Sequence, residues 1–284
     1  MSGDPVLVLG ANGQLGSAFT RLLENAVPVT RDTLDLATAP VDEMRQLFLD
    51  IRPGAVINCA AYTRVDAAES DEEGATEVNG RAVGRLSEAA ADCGVPLVTY
   101  STDYVFDGSG DSPYVESDPP NPLNAYGRSK LLGEELALQH DGQTLIIRTS
   151  WVVSGTHKNF VSAILGRVRA GEAVRVVNDQ WGCPTIVDDL ATATLSALGA
   201  DARGILHLTN SGPTTWFEFA QAIVRLAGFD PSLVRPCSTD EYPTIARRPA
   251  YSVLGSERMS DLQIPPLPHW ERSLSRVVEG HTSG

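Results

Sequence analysis

The chain of 284 residues is poor in cysteine, in aromatic residues and in positive charge. Its four cysteines, Cys59, Cys93, Cys183 and Cys237, show no C-x-x-C spacing. That excludes a disulfide scaffold and points to reduced thiols in a cytoplasmic protein. Lys and Arg number 22 against 36 Asp and Glu, a net charge of −14. Such a balance repels nucleic-acid phosphates and anionic membranes, so neither is expected as a partner. It does not forbid a nucleotide held by a local positive site. No apolar run approaches the roughly 20 residues of a membrane span. The N-terminus, Met1-Ser2-Gly3-Asp4, lacks the basic region of a signal peptide. No His/Cys/carboxylate cluster has metal-ligand spacing, so no metal is expected. There are no internal repeats, and no low-complexity tail beyond His281–Gly284.

What is present reads as a globular α/β protein: 42% apolar residues, with 25 Gly and 18 Pro. The length suits one large domain, or a domain with a smaller lobe. Residues 5–9 (PVLVL) are a short apolar run without polar alternation, as a buried parallel strand is, residues 55–58 (AVIN) read as another buried strand, and 97–101 and 144–148 (TLIIR) as further strands. Residues 27–30 and 205–209 complete a six-stranded sheet. Residues 41–51 have helical periodicity. Residues 66–92 read as an acidic helical region broken near Gly74 and Gly80, its charges on a solvated face.

The first strand runs into Gly10-Ala11-Asn12-Gly13-Gln14-Leu15-Gly16 and then a helical stretch. Gly10 permits a tight turn, Gly13 lets backbone N–H groups approach a pyrophosphate, and Gly16 lets the helix pack on the strand. Strand, glycine turn and helix in this order predict dinucleotide binding. Arg31 stands where the second strand ends, with Asp32 after it. An acid at this place would hold an unmodified ribose, whereas arginine suits a 2′-phosphate, so NADPH is expected with NADH as a substitute.

Further along, Asn124-Ala125-Tyr126-Gly127-Arg128-Ser129-Lys130 places Tyr126 and Lys130 one helical turn apart. A phenol beside a cation is favoured as phenolate, and such a pair can pass a proton to or from a substrate oxygen. Upstream, Ser101-Thr102-Asp103-Tyr104 puts a hydroxyl at the end of the fourth strand, where it can meet a substrate carbonyl beside Tyr126.

Together these stretches, with NCAAYTRVDAAE (58–69), IRTSWV (147–152), NDQWGCPT (178–185) and RRPAYSVL (247–254), resemble the extended short-chain dehydrogenase/reductase family over nearly the whole chain. The resemblance implies a Rossmann-type doubly wound parallel sheet in residues 1–150, with 186–210 returning to it. It implies a smaller C-terminal α/β substrate-binding lobe in 151–284, and a homodimer is common in this fold. It implies an enzyme reducing the 4-keto group of a dTDP-6-deoxyhexulose with NADPH or NADH. Catalytic roles fall to Tyr126 as proton donor, Lys130 and Thr102. Cofactor contacts fall to Gly10, Asn12, Gly13, Gln14, Leu15, Gly16, Arg31, Asp35, Leu36, Ala60, Ala61 and Tyr62, besides Tyr126 and Lys130. Substrate contacts fall to Thr102, Asp103, Trp151, Asn159 and Arg248, the last two toward the diphosphate. The family's dehydratases carry Thr-Asp-Glu after the fourth strand, and here Tyr104 follows Thr102-Asp103. Two readings stay open beside the reductase. One is a 4-ketoreductase or epimerase of another nucleotide deoxysugar. The other is a non-catalytic NADP-binding regulatory subunit, against which the intact Thr102, Tyr126 and Lys130 weigh.

Overall fold

A computed structural model of the protein describes residues 3–140 and 142–282. The first two residues and the last two of the tail lie outside the described residues.

Six parallel strands form the central sheet: β1 (Val6–Leu9), β2 (Ala26–Val29), β3 (Ala55–Asn58), β4 (Leu97–Thr102), β5 (Thr144–Thr149) and β6 (Gly204–His207). Their spatial order is β6-β5-β4-β3-β1-β2. The first strand demonstrates the double winding. Val6 and Val8 belong to a core shared with Phe19, Leu190 and Ala191. Leu7 and Leu9 belong to the opposite one, shared with Met44, Phe48, Leu86 and Ala89. Helices therefore cover both faces, which is why β1 is apolar at every position. The chain order reverses between β1 and β3, and the crevice beyond the strand carboxyl ends opens at that point.

A second core lies apart from the sheet. The helices Phe160–Arg169, Trp216–Leu226 and Trp270–Thr282 supply Val161, Leu165, Phe219, Ile223, Leu274 and Val278 to it. Strands Val174–Val177 and Val234–Cys237 pair in parallel beside them. Between these elements the helix Val187–Gly199 and β6 return to the central sheet.

The acidic region departs from its sequence reading. Helix Glu72–Thr76 continues through a π-helical turn, Glu77–Arg81, into Ala82–Cys93 without a break at Gly74 or Gly80. The interruption comes earlier, between Ala68 and Glu72. Gly80 is a packing glycine, since a Cβ there would lie 2.9 Å from Leu132. The acidic side chains are only partly a solvated face. Glu69 accepts from the Ala125 N–H at 2.8 Å, Glu72 from Arg128 at 2.8 Å, and Asp66 from Arg248 at 3.0 Å. The NDQWGCPT stretch (178–185) includes a short strand, Trp181–Gly182, and runs into a second, Thr185–Ile186.

Candidate active site

A cleft of about 890 Å³ runs from the glycine turn, past the ends of β3, β4 and β5, to the second core. At one end Gly10 has φ +70, and a Cβ on it would sit 2.6 Å from the Ala60 backbone nitrogen. A Cβ on Gly16 would lie 2.3 Å from the Gly10 carbonyl oxygen. The turn is thus wedged between its own helix and the chain leaving β3, and only glycine fits. Gly10, Asn12, Gly13, Gln14, Leu15, Ala60 and Ala61 line the cleft. A side pocket of about 390 Å³ takes Leu34, Asp35, Leu36 and Tyr62, with Arg31 at its rim.

Arg31 does not pair with the adjacent Asp32. Its Nε and Nη2 donate to Asp35 Oδ2 at 3.1 and 3.0 Å, and 80% of its side chain is exposed. The pair is solvent-screened and breaks at little cost.

The helix that carries Tyr126 and Lys130, Ala125–Ala137, begins where three separate contacts fix it. The Asn124 side chain caps it by accepting from the Gly127 N–H at 2.8 Å and donates to the Arg247 carbonyl at 2.9 Å. Glu69 takes the Ala125 N–H, placing a carboxylate at the positive end of the helix dipole. A Cβ on Gly127 would lie 2.2 Å from the Tyr104 carbonyl oxygen, so this glycine brings the first turn hard against the end of β4. Tyr126 is thereby delivered to Thr102, and both line the cleft with Lys130.

The electrostatics of the pair differ from the sequence expectation. Lys130 is buried, and its Nζ donates to the Tyr100 carbonyl at 2.9 Å rather than to the phenol. Burial pushes its ammonium down to about 8, with Glu134 opposing. Burial also pushes the Tyr126 phenol up, a hydrogen-bonding contact with Thr102 opposes this, and the Asp103 charge adds to the rise. The lowering expected from Lys130 is not seen: its ammonium is turned to the Tyr100 carbonyl, and burial dominates. The phenol is therefore protonated at neutral pH, which is the form a proton donor needs.

Thr102 Oγ1 donates to Asp103 Oδ1 at 3.0 Å and accepts from the Tyr104 N–H at 3.2 Å. Asp103 is 2% exposed, and burial raises its carboxyl to about 7 against the hydrogen bonds of Ser252 and Thr102.

Trp151 lines the cleft from the second side, at φ +47, a strained backbone for a residue of its size. Its indole stacks on Trp216 with centroids 3.6 Å apart, and Gly182 abuts it closely enough that a Cβ would meet the ring at 2.5 Å. One face of the ring is thus already covered by protein. Trp216, the first residue of its helix, also lines the cleft and went unnoticed in the sequence, where its spacing reads as ordinary helix.

The two residues expected at a diphosphate are otherwise engaged. Asn159 caps the helix Phe160–Arg169, its Oδ1 accepting from Val161 N–H at 2.9 Å and its Nδ2 donating to Gln14 Oε1 at 2.9 Å. Arg248 pairs with Asp66 at 3.0 Å and donates to the Ala246 carbonyl at 2.9 Å. Neither is among the residues lining the cleft. The sequence holds only two lysines, Lys130 and Lys158, and both line it. Lys158 follows His157, whose Nε2 lies 3.1 Å from the Asn12 carbonyl on the glycine turn.

Asn79 was also missed. It is 1% exposed in the π turn, accepts from Tyr62 N–H at 2.9 Å, and donates to the Tyr62 carbonyl at 2.9 Å and to Ser129 Oγ at 3.0 Å. It pins the chain after β3 to the Tyr126 helix. A π turn inside a helix was the only signal, and no local spacing announces it.

The glycine turn, the Tyr126–Lys130 helix and a hydroxylated strand end therefore meet in one cleft. A family model described as the RmlD substrate binding domain matches residues 4–283. The chain belongs to this family. The dTDP-4-dehydrorhamnose reductase of Burkholderia thailandensis is 42% identical to it, the alignment covering 96% of this chain and 97% of that one. The dTDP-4-keto-6-deoxy-D-glucose reductase of Streptomyces niveus is 38% identical, with 96% of each chain covered. Among solved structures, a dTDP-4-dehydrorhamnose reductase from Bacillus anthracis in complex with NADP superimposes with a TM-score of 0.91 at 34% identity, covering 96% of this chain and 98% of that one. The doubly wound fold expected from the family resemblance is the fold observed.

Proposed function

We propose that the protein is an NADPH-dependent reductase of the 4-keto group of a dTDP-6-deoxyhexulose, taking dTDP-4-dehydro-L-rhamnose to dTDP-L-rhamnose. The observation that carries this reading is the meeting of Tyr126, Thr102 and Lys130 with the glycine turn in one cleft of a chain whose relatives perform this reduction. The residues fit the cofactor. The cradle at Gly10 and Gly16, which a Cβ would fill, leaves backbone N–H groups to a pyrophosphate. The side pocket of Asp35, Leu36 and Tyr62 suits an adenine, and the exposed Arg31 can leave Asp35 for a 2′-phosphate. NADH is the weaker substitute. A bound nicotinamide supplies the hydride.

The protein's own part is a proton and its placement. As the ketone oxygen gains charge, the protonated Tyr126 gives up its hydrogen to it. The Lys130 ammonium, anchored on Tyr100, stabilises the phenolate left behind. Trp151, backed by Trp216, walls the sugar site by the ring surface that Trp216 leaves open. Lys158, rather than Asn159 or Arg248, offers the cation for a diphosphate. Cytoplasmic location follows from such substrates. No described helix is long and apolar enough to cross a membrane.

The test is incubation with dTDP-4-dehydro-6-deoxy-L-mannose and NADPH, followed by NMR of the product. The reading expects dTDP-L-rhamnose with one NADPH consumed for each sugar reduced. An epimerised ketone with the cofactor unspent would overturn it. The Streptomyces niveus relative favours a second reading, a 4-ketoreductase of a different dTDP-6-deoxyhexulose. That reading predicts faster turnover of dTDP-4-keto-6-deoxy-D-glucose in the same assay.

A further inference from the structure

The side pocket beside the glycine turn holds two arginines, and they are committed differently. Arg31 and Arg64 both line it, and Asp35 is the one carboxylate among its described lining residues. Two cations against one anion leave this wall positive in a chain of net charge −14. Asp35 Oδ2 takes two donors of the Arg31 guanidinium, at 3.1 and 3.0 Å. Arg64 is exposed, and among the described residues no carboxylate pairs with it. The acids that follow it in the chain are engaged elsewhere: Asp66 by Arg248 and the Ala246 N–H, Glu69 by the Ala125 N–H, and Glu72 by Arg128. The Arg64 guanidinium lies instead over the Tyr62 ring, 5.2 Å from its centroid. Tyr62 is a fixed seat, because Asn79 accepts from its N–H and donates to its carbonyl, each at 2.9 Å. A guanidinium seated on a ring keeps its N–H donors for another acceptor.

We infer that Arg64 is a specificity-determining residue for the cofactor: it shares the 2′-phosphate with Arg31 and carries the larger part of the preference for NADPH. The inference rests on the NADPH reading of the side pocket. A phosphate monoester carries a charge of about −1.5 to −2 near neutral pH, more than one arginine already paired with an acid can balance. Arg31 must leave Asp35 to reach it, so what the new pair gains is offset by what the old one loses. Arg64 gives up only a ring contact at an exposed site, which is worth little, and offers a whole fork of donors. The pocket's apolar members, Leu34, Leu36 and Val78, suit the base and do not tell a 2′-phosphate from a 2′-hydroxyl. In the sequence Arg31 is the cation expected at this place, because it stands at the end of the second strand. Arg64 belongs to the chain leaving β3, and only the fold sets it on the same pocket.

The rival is an arginine that covers the adenine ring and is indifferent to the phosphate. NADP⁺ and NAD⁺ differ only in that phosphate, and without a sugar substrate both bind without turnover. Isothermal titration of the full chain with each therefore separates the two roles. In Arg64→Ala the Kd for NADP⁺ should rise about five- to thirtyfold, the loss of one charge-assisted contact, while that for NAD⁺ stays within about twofold. Arg31→Ala should cost NADP⁺ less than Arg64→Ala does. Arg64→Lys keeps the charge without the fork and should recover part of the loss. The double variant Arg31→Ala, Arg64→Ala should bind the two cofactors alike, within about twofold. Added salt should erode the wild type's preference for NADP⁺ and leave the double variant's ratio where it is. Equal weakening of NADP⁺ and NAD⁺ in Arg64→Ala overturns the inference in favour of the adenine contact. An unchanged Kd for NADP⁺ overturns it outright, and so does a larger loss in Arg31→Ala. Absence of sugar reduction by the wild type would overturn the reductase reading instead, and the titrations would still decide the role of Arg64.

Discussion

The two sides of the cleft are built in different ways. The glycine-turn side is made of near neighbours in sequence: Gly10 packs on Gly16, Arg31 pairs with Asp35, and Tyr126 lies four positions from Lys130. The other side is made of long-range contacts. Ser252 reaches Asp103, Arg248 reaches Asp66, Asn159 reaches Gln14, and Trp216 stacks on Trp151. A site assembled from short motifs carries general chemistry, while one assembled across the fold can change its substrate by changing single contacts. Substitutions on the first side should therefore disturb the cofactor or the chemical step, and those on the second side the sugar nucleotide.

The largest effect is expected at the chemical centre. Tyr126→Phe removes only the hydroxyl and should lower kcat by about two to four orders of magnitude, with the NADPH Kd near wild type. Fluorescence titration and steady-state kinetics read the two quantities separately, and turnover within threefold of wild type would remove Tyr126 from the mechanism. Next comes Gly10→Ala. It must place a side chain at φ +70 and 2.6 Å from the Ala60 backbone, so we expect about 1–3 kcal/mol of destabilisation and loss of measurable NADPH binding. Normal binding in the folded variant would show that the turn gives way more easily than the geometry allows.

On the other side, Lys158→Ala should raise the sugar-nucleotide KM about three- to tenfold and leave kcat alone, as befits an exposed phosphate contact. An increase in the NADPH Kd instead would move Lys158 to the cofactor's pyrophosphate and blur the division drawn above. The smallest effect is expected at Arg31. Because Asp35 already occupies its guanidinium, Arg31→Ala should shrink the preference for NADPH over NADH by about two- to fivefold, read as the ratio of kcat/KM values. A wild type that favours NADH would refute the assignment.

The pH dependence has two signs to check. The Lys130 ammonium, pushed down to about 8, is charged below that value and neutral above it. Activity of the free enzyme, read as kcat/KM, should therefore fall as pH rises through about 8. Asp103, raised to about 7, keeps its proton in the folded state over a range where the unfolded chain has lost it. Stability from this group falls as pH rises from the ordinary carboxylate range to about 7, because the folded state binds the extra proton. Asp103→Asn should consequently raise Tm more at pH 8 than at pH 5. The opposite order would mean that the carboxylate is better satisfied than its burial suggests.

The same contrast decides what the sequence made legible. The parallel sheet could be read from runs such as VLVL and AVI, because strands covered on both faces are mostly apolar. Tyr126, Lys130 and Thr102 were readable because spacing along a helix or at a strand end fixes where they point. Trp216 and Asn79 were not, since each acquires its place from a partner brought in by the fold. Arg248 and Asn159, expected at a diphosphate, are held by protein partners for a related reason. Their chemistry suits a phosphate, and in the fold Asp66 and a helix N-terminus engage them. The upward shift of Tyr126 was equally hidden, for the helix pattern supplies a cation one turn away but not the burial that sets the shift.

The account claims above all that this cleft delivers hydride to a sugar ketone while Tyr126 protonates the resulting oxygen. The most direct measurement uses NADPH carrying deuterium at the transferable C4 position, with dTDP-4-dehydro-6-deoxy-L-mannose as the second substrate. The account predicts one deuterium at C4 of the product sugar and none at C3 or C5. Deuterium absent from C4, or a product whose C3 or C5 hydrogen has exchanged with solvent while NADPH stays unspent, would contradict it.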